Sequence, residues 1–132
     1  MKTRIFSVLC QYVPGVMMRI SRTFTRRQIN LDSITVGIEP TGLARMILIF
    51  KADDRLAEFI RRVLVRTEPI IDVEVIEPER SIVREVALLK TKKLDEKQLW
   101  KVVQQVERAG GRVLDNKENV LIVELSGSYD EI

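Results

Sequence analysis

Histidine is absent from the 132 residues, and Cys10 is the single cysteine. Without an imidazole, no Ser/His/Asp triad and no histidine acid/base pair can form. One thiolate cannot make a Cys/His zinc site. A lone cysteine also excludes an internal disulfide and fits a reducing cytoplasm, the expected location. Aromatics are sparse at 5%. No apolar run approaches the roughly 20 residues that a membrane helix needs. The opening MKTRIFSVLCQYV has a short apolar run, but it breaks at Gln11 without a small-residue cleavage site, so it is expected to be a strand and not a signal peptide.

Carboxylates remain as possible catalysts. Asp53-Asp54, however, precede an amphipathic segment, where helix capping explains them, and Asp130-Glu131 close the sequence. The expectation is a protein that is not an enzyme and needs no metal or cofactor. Charged residues make up 31% of the chain with both signs mixed. The net +3 lies wholly in residues 1–80, while residues 81–132 are neutral. Neither half carries a basic stripe for nucleic acid.

What is present is a 45% apolar content, enough for a real core, arranged with clear periods. Arg4–Cys10 reads as a strand. Val16, Met17, Ile20 and Phe24 recur at helical spacing across 16–27, and Ile34, Val36 and Ile38 alternate within the strand Ser33–Glu39. Pro40-Thr-Gly42 turns into a strand over Leu43–Lys51. Asp53-Asp54 then cap a helix with the stripe Leu56, Phe59, Ile60, Val63 and Leu64, and Ile70–Ile76 alternates again. The order strand, helix, strand, strand, helix, strand calls for an α+β, ferredoxin-like βαββαβ unit: a four-stranded antiparallel sheet with both helices on one face. Residues 1–78 form this first domain.

Residues 79–132 begin the pattern again after a Pro/Glu/Arg linker. Ile82–Thr91 reads as a strand, Asp95 and Gln98 as a capping box, and Leu99, Val102, Val103 and Val106 as a helical stripe stopped by Gly110-Gly111. Arg112–Leu114 and Val120–Leu125 read as strands around the turn Asp115–Asn119. Ser128 to Glu131 suggests a further capping box with no helix behind it. The second unit is therefore expected to be an incomplete, truncated βαββαβ. Trp100 beside the helical stripe either flanks the core or marks an oligomer contact, and Cys10 reads as a small buried hydrophobe.

The junction Gln11-Tyr-Val-Pro-Gly-Val16 carries the most chemistry. Pro14 fixes the turn and donates nothing, Gly15 removes the Cβ that would keep a ligand from the backbone, and the amides of Gly15, Val16 and Met17 start a helix at its positive end. A tidy connection is the plainer reading of these residues. Asn30 is expected to return to the same sheet end or to that of an edge neighbour. Its amide can both donate and accept, as a free amino acid requires.

The run SVLCQYVPGVMMRISRTFTRRQINLDSITVG, with ARMILIF and VREVALLK downstream, resembles the acetolactate synthase (acetohydroxyacid synthase) small regulatory subunits, whose N-terminal domain is an ACT domain. The resemblance covers nearly the whole chain, although that family's second domain runs further. It implies a non-catalytic protein that binds a thiamine-diphosphate-dependent catalytic subunit, raises its activity, and transmits feedback inhibition by valine in branched-chain amino-acid biosynthesis. It also implies a homodimer of ACT domains paired edge to edge with valine at the interface. Tyr12, Pro14, Gly15 and Val16 would come from one copy, and Asn30 and Leu31 from the other. Val16 and Leu31 would suit the isopropyl group. Tyr12 stands where the family usually has asparagine, and Gln28 where it usually has glycine, so an activator without valine sensitivity stays open. So does a stand-alone ACT-type amino-acid sensor or the sensor half of a transcription regulator, although no helix-turn-helix is visible. A metal-responsive regulator lacks soft ligands.

Overall fold

The computed structural model describes residues 1–128 and 130–132, which divide into the units Met1–Ser81 and Ile82–Ile132. In the first unit β1 (Lys2–Cys10), α1 (Val16–Thr25), β2 (Leu31–Ile38), β3 (Ala44–Ala52), α2 (Asp54–Val65) and β4 (Ile70–Ile76) follow in order, before a 3-10 turn at Pro78–Arg80. The sheet is antiparallel throughout, in the order β2-β3-β1-β4. This is the expected α+β, ferredoxin-like arrangement.

Alternation along the two central strands builds the core. Phe6, Val8 and Cys10 of β1 pair with Leu48, Met46 and Ala44 of β3, and all six are buried. From the helices, Val16, Ile20 and Phe24 of α1 and Ala57, Ile60 and Leu64 of α2 complete the cluster. Phe50 joins the layers, since both Phe6 and Phe24 meet it edge-on with ring centroids 4.9 Å apart. On the opposite face of the sheet Arg45 Nε donates to Glu39 Oε1 at 2.8 Å, and Arg45 Nη1 donates to the buried Ser7 hydroxyl at 3.1 Å.

Asp53 caps α2 as its sequence position implies, accepting from the Leu56 amide at 2.7 Å. The end of α1 is less obvious. Gln28 N–H donates to Thr25 O and Ile29 N–H to Phe24 O, the paired closure that usually ends on glycine. Gln28 takes the left-handed position of that motif at φ 56°.

Three expectations need correction. Ile34, Val36 and Ile38 share the helix-bearing face with Leu48, Met46 and Ala44, yet remain 38%, 36% and 54% exposed. β2 is an edge strand and has no neighbour beyond it. Phe59, expected in the core stripe of α2, is exposed, because the buried line runs through Ala57, Ile60 and Leu64. Met17 is likewise exposed on α1.

The second unit contains β5 (Glu85–Lys90), α3 (Glu96–Arg108), β6 (Arg112–Lys117) and β7 (Val120–Gly127), with strand order β5-β7-β6. This reproduces the first four elements of the βαββαβ order. The capping box is complete: Gln98 N–H donates to Asp95 Oδ1 at 2.8 Å, and Asp95 N–H to Gln98 Oε1 at 3.1 Å. β5 is shorter than the expected 82–91. β6 is longer, because the hairpin turns in two residues, Glu118 and Asn119, both with positive φ. Gly111 is sterically required, since a Cβ there would run into a Leu125 methyl and lie 2.6 Å from Glu124 O. The core is small, with Val106, Leu121 and Val123 buried and Leu94, Leu99, Val102, Val103 and Leu125 packed around them. Trp100 is 68% exposed. At the end of the chain Ser128 N–H donates to Glu131 Oε2 at 3.0 Å, one half of the expected capping box, while Tyr129 within it lies outside the described residues.

Candidate functional site

β1 leaves the sheet at Cys10, and Gln11 N–H is held by Pro69 O at 3.1 Å, so the following turn starts from a fixed point. Tyr12, Val13, Pro14 and Gly15 are all exposed. Gly15 is the N-cap of α1 at φ 85°, ψ −6°, with no side chain closing the helix start. An L side chain there would be strained, but the space that its Cβ would enter is open. Among the described residues the amides of Gly15, Met17 and Met18 have no protein acceptor, and the Val16 amide has only a long contact to Val13 O at 3.4 Å. The first turn of α1 carries no acidic residue. The turn is therefore a bare, positively polarised helix start, open to a carboxylate.

The other expected residues sit differently. Val16 is 3% exposed, its side chain packed into the core, so it offers the turn its backbone and not an isopropyl contact. The Tyr12 side chain is 66% exposed beside the turn. Asn30 is exposed, and Leu31 is half-buried against the core. The register fixes where these lie. Leu31 pairs with Phe50, which pairs with Arg4 near the start of β1, whereas Cys10 pairs with Ala44, which pairs with Ile38 at the end of β2. Within one chain Asn30 and Gly15 thus stand at opposite ends of the sheet, about 20 Å apart along six residues of strand. They are not at the same sheet end. Strand direction already carried this signal, because a helix that returns antiparallel to β1 must start β2 at the far end.

Cys10 is buried just before the turn, and desolvation pushes its thiol above the ordinary range, which keeps it unreactive. Among the described residues no three Asp, Glu or Cys side chains converge as metal ligands, and no helix is long and apolar enough to cross a membrane. Sequence reading missed the exposed Ile34, Val36 and Ile38 on the helix face of β2, and a groove beside α2 where Arg27 stands 4.2 Å over the Phe59 ring. Nothing in the periodicity of β2 distinguishes an edge from a central strand.

A family model described as the AHAS small subunit-like ACT domain matches residues 6–66, within the first unit. The probable acetolactate synthase small subunit of Methanothermobacter thermautotrophicus is 35% identical over 131 residues, covering 98% of this chain and 78% of that protein. The chain belongs to the acetolactate synthase small-subunit family. Its likeness to the acetolactate synthase small subunit of Mycobacterium avium is 30% over 132 residues, covering 99% of this chain and 78% of the relative. In three dimensions the crystal structure of the Thermotoga maritima acetolactate synthase small subunit superposes with a TM-score of 0.89 at 32% identity, over 99% of this chain and 82% of that one. Met1–Ser81 is accordingly the ACT unit of a small-subunit chain.

Proposed function

We propose that this chain is the non-catalytic regulatory subunit of an acetolactate synthase, binding the catalytic large subunit, raising its activity and carrying feedback inhibition by valine. The proposed domains are an ACT domain over 1–78 and a C-terminal regulatory domain over 79–132. Two ACT units pair through the β2 edges, and the effector lies between them. The observation that carries this reading is the separation of Gly15 from Asn30. A two-fold axis beside β2 runs the partner's β2 antiparallel, which brings the partner's start of β2 to the end of the joint sheet that holds the Gly15 turn. Helix-start amides then take the effector carboxylate, and Asn30 and Leu31 from the second copy close over its other end. The unpaired apolar row Ile34, Val36 and Ile38 supports the same pairing.

Calorimetric titration with valine, leucine and isoleucine tests the site. Gly15→Asp sets a negative charge at the free amides, and aspartate is among the side chains that tolerate left-handed φ. Losing two charge-assisted hydrogen bonds of about 1.5–3 kcal/mol each weakens the effector at least about a hundredfold, whereas Asn30→Ala weakens it less. Equal binding by parent and Gly15→Asp would make the turn a mere connection. The exposed Tyr12 beside the turn favours one second reading, an activator without feedback. That reading is supported if the parent binds none of the three amino acids and Tyr12→Asn restores binding.

A further inference from the structure

The outer surface of the two helices of the ACT unit carries arginine to the exclusion of lysine. Arg19, Arg22, Arg26 and Arg27 lie in or just after α1, and Arg55, Arg61, Arg62 and Arg66 lie in or just after α2, while residues 16–28 and 53–68 contain no lysine. Arginine offers a planar fork for paired carboxylates, and it is enriched at protein interfaces where lysine is depleted. On α2, Arg55, Phe59, Arg62 and Arg66 fall at helical spacing along one stripe, and Arg27 joins it from the end of α1. Together they border a groove of about 630 Å3, whose lining also includes Leu56 and the carboxylates Asp53 and Glu58, and an adjoining one of about 450 Å3 that shares Phe59 and Arg62.

The charges in this groove are not balanced internally. Glu58 is committed to Arg61 at 2.7 Å and to Arg62 at 3.1 Å. The Arg61 hydrogen bonds, with Arg62 behind them, hold the Glu58 carboxyl down at about 2, so it stays ionised and occupied. Asp53 accepts from the Leu56 amide as the cap of α2. Among the described residues Arg27 and Arg55 have no carboxylate within salt-bridge distance, and Arg62 holds Glu58 through one nitrogen while remaining mostly exposed. Between them Phe59 is partly exposed, with Arg27 over its ring. Guanidinium groups with donors to spare around an aromatic anchor are what a carboxylate-bearing protein surface needs.

We propose that this groove between the end of α1 and α2 is where the catalytic large subunit docks, through paired carboxylates flanking an apolar side chain that packs on Phe59. This rests on the regulatory-subunit reading above. It adds the surface, the chemistry of the contact, and a route for regulation. α1 begins at the effector turn and ends beside Arg27, so one rigid element about 15 Å long has the effector at its start and the partner at its end.

The test measures association of the full chain with the large subunit from the same genome by calorimetry, at low salt and in about 0.5 M salt. Valine titration and light scattering of the small subunit alone are run in parallel. Arg55→Glu/Arg62→Glu reverses two charges on an exposed stripe while Glu58 keeps Arg61. It is expected to weaken association at least about a hundredfold and to remove most of the salt dependence, with valine binding and oligomeric mass unchanged. Arg55→Lys/Arg62→Lys keeps the charge but loses the fork, and is expected to fall between. Phe59→Ala is expected to weaken association at both salt concentrations alike. If the parent associates and the double Glu variant associates equally well, the docking surface is wrong while the regulatory reading stands. If the parent does not associate at all, both fall. If association is unchanged but the parent binds inorganic pyrophosphate and the double Glu variant does not, the groove is a small-anion site and the docking proposal is overturned.

Discussion

Gln28 holds a backbone position that its side chain does not favour. It is the left-handed residue of the closure that ends α1, and the identical closure ends α3, where Gly110 N–H donates to Glu107 O, Gly111 N–H donates to Val106 O, and the left-handed residue is Gly110 at φ 76°. A left-handed L residue costs roughly 1–2 kcal/mol, partly offset by the larger entropy that glycine loses on folding. Gln28→Gly is therefore expected to stabilise the ACT unit by about 1 kcal/mol, a rise of about 4–8 °C in Tm by calorimetry. Its place directly before Ile29 and Asn30 gives the residue a second importance, because the strained closure aims the Asn30 loop. A destabilised Gln28→Gly variant would mean that the glutamine side chain makes a compensating contact.

At the scale of elements, the caps and periods were legible and the neighbours were not. Asp53 and the Asp95/Gln98 pair do what their spacing implies, because capping is decided within four residues. The burial of β2 is decided by what lies beyond it, and alternation contains no such information, so Ile34, Val36 and Ile38 looked like core. Phe59 misled for a related reason: five apolar positions on α2 span a wider arc than one sheet can cover, and Phe59 lies outside it. Of the candidate site, Pro-Gly marked the turn but read most plainly as a tidy connection, whereas the distance to Asn30 was implicit in strand direction, since β2 must start at the end of the sheet opposite the Gly15 turn. The exposed row on β2 makes a sharp test of dimer geometry. Val36→Lys adds a charge to that row without touching the buried core, and is expected to convert a dimer to a monomer in light scattering at micromolar concentration. Ile71→Lys, on the opposite edge strand β4 where Ile71 is 52% exposed, is the control and is expected to leave the dimer intact. The reverse outcome would move the interface to β4 and separate Gly15 from the partner's Asn30.

For the molecule as a whole, the two units are unequally built. Among the described residues, fifteen buried ones form the core cluster of the ACT unit, against three in the second unit, where every residue of β6 is exposed. Local stability follows buried apolar contact, so hydrogen exchange of the small subunit alone is expected to be fast through Arg112–Lys117 and slow through β1 and β3. Uniformly strong protection across residues 85–127 would show that another chain covers the second unit.

The arginine surface also has a consequence for proton balance. A guanidinium keeps its proton at any pH at which a protein stays folded, and the chain has no imidazole. Glu58, the carboxylate committed within that surface, is ionised far below neutrality. Between about pH 5.5 and 8 a surface built of guanidinium groups around such a carboxylate keeps a fixed charge. It presents a constant electric field to whatever approaches. In an assembled enzyme, proton uptake on association, or acidity that tunes the strength of feedback, would have to originate outside that surface.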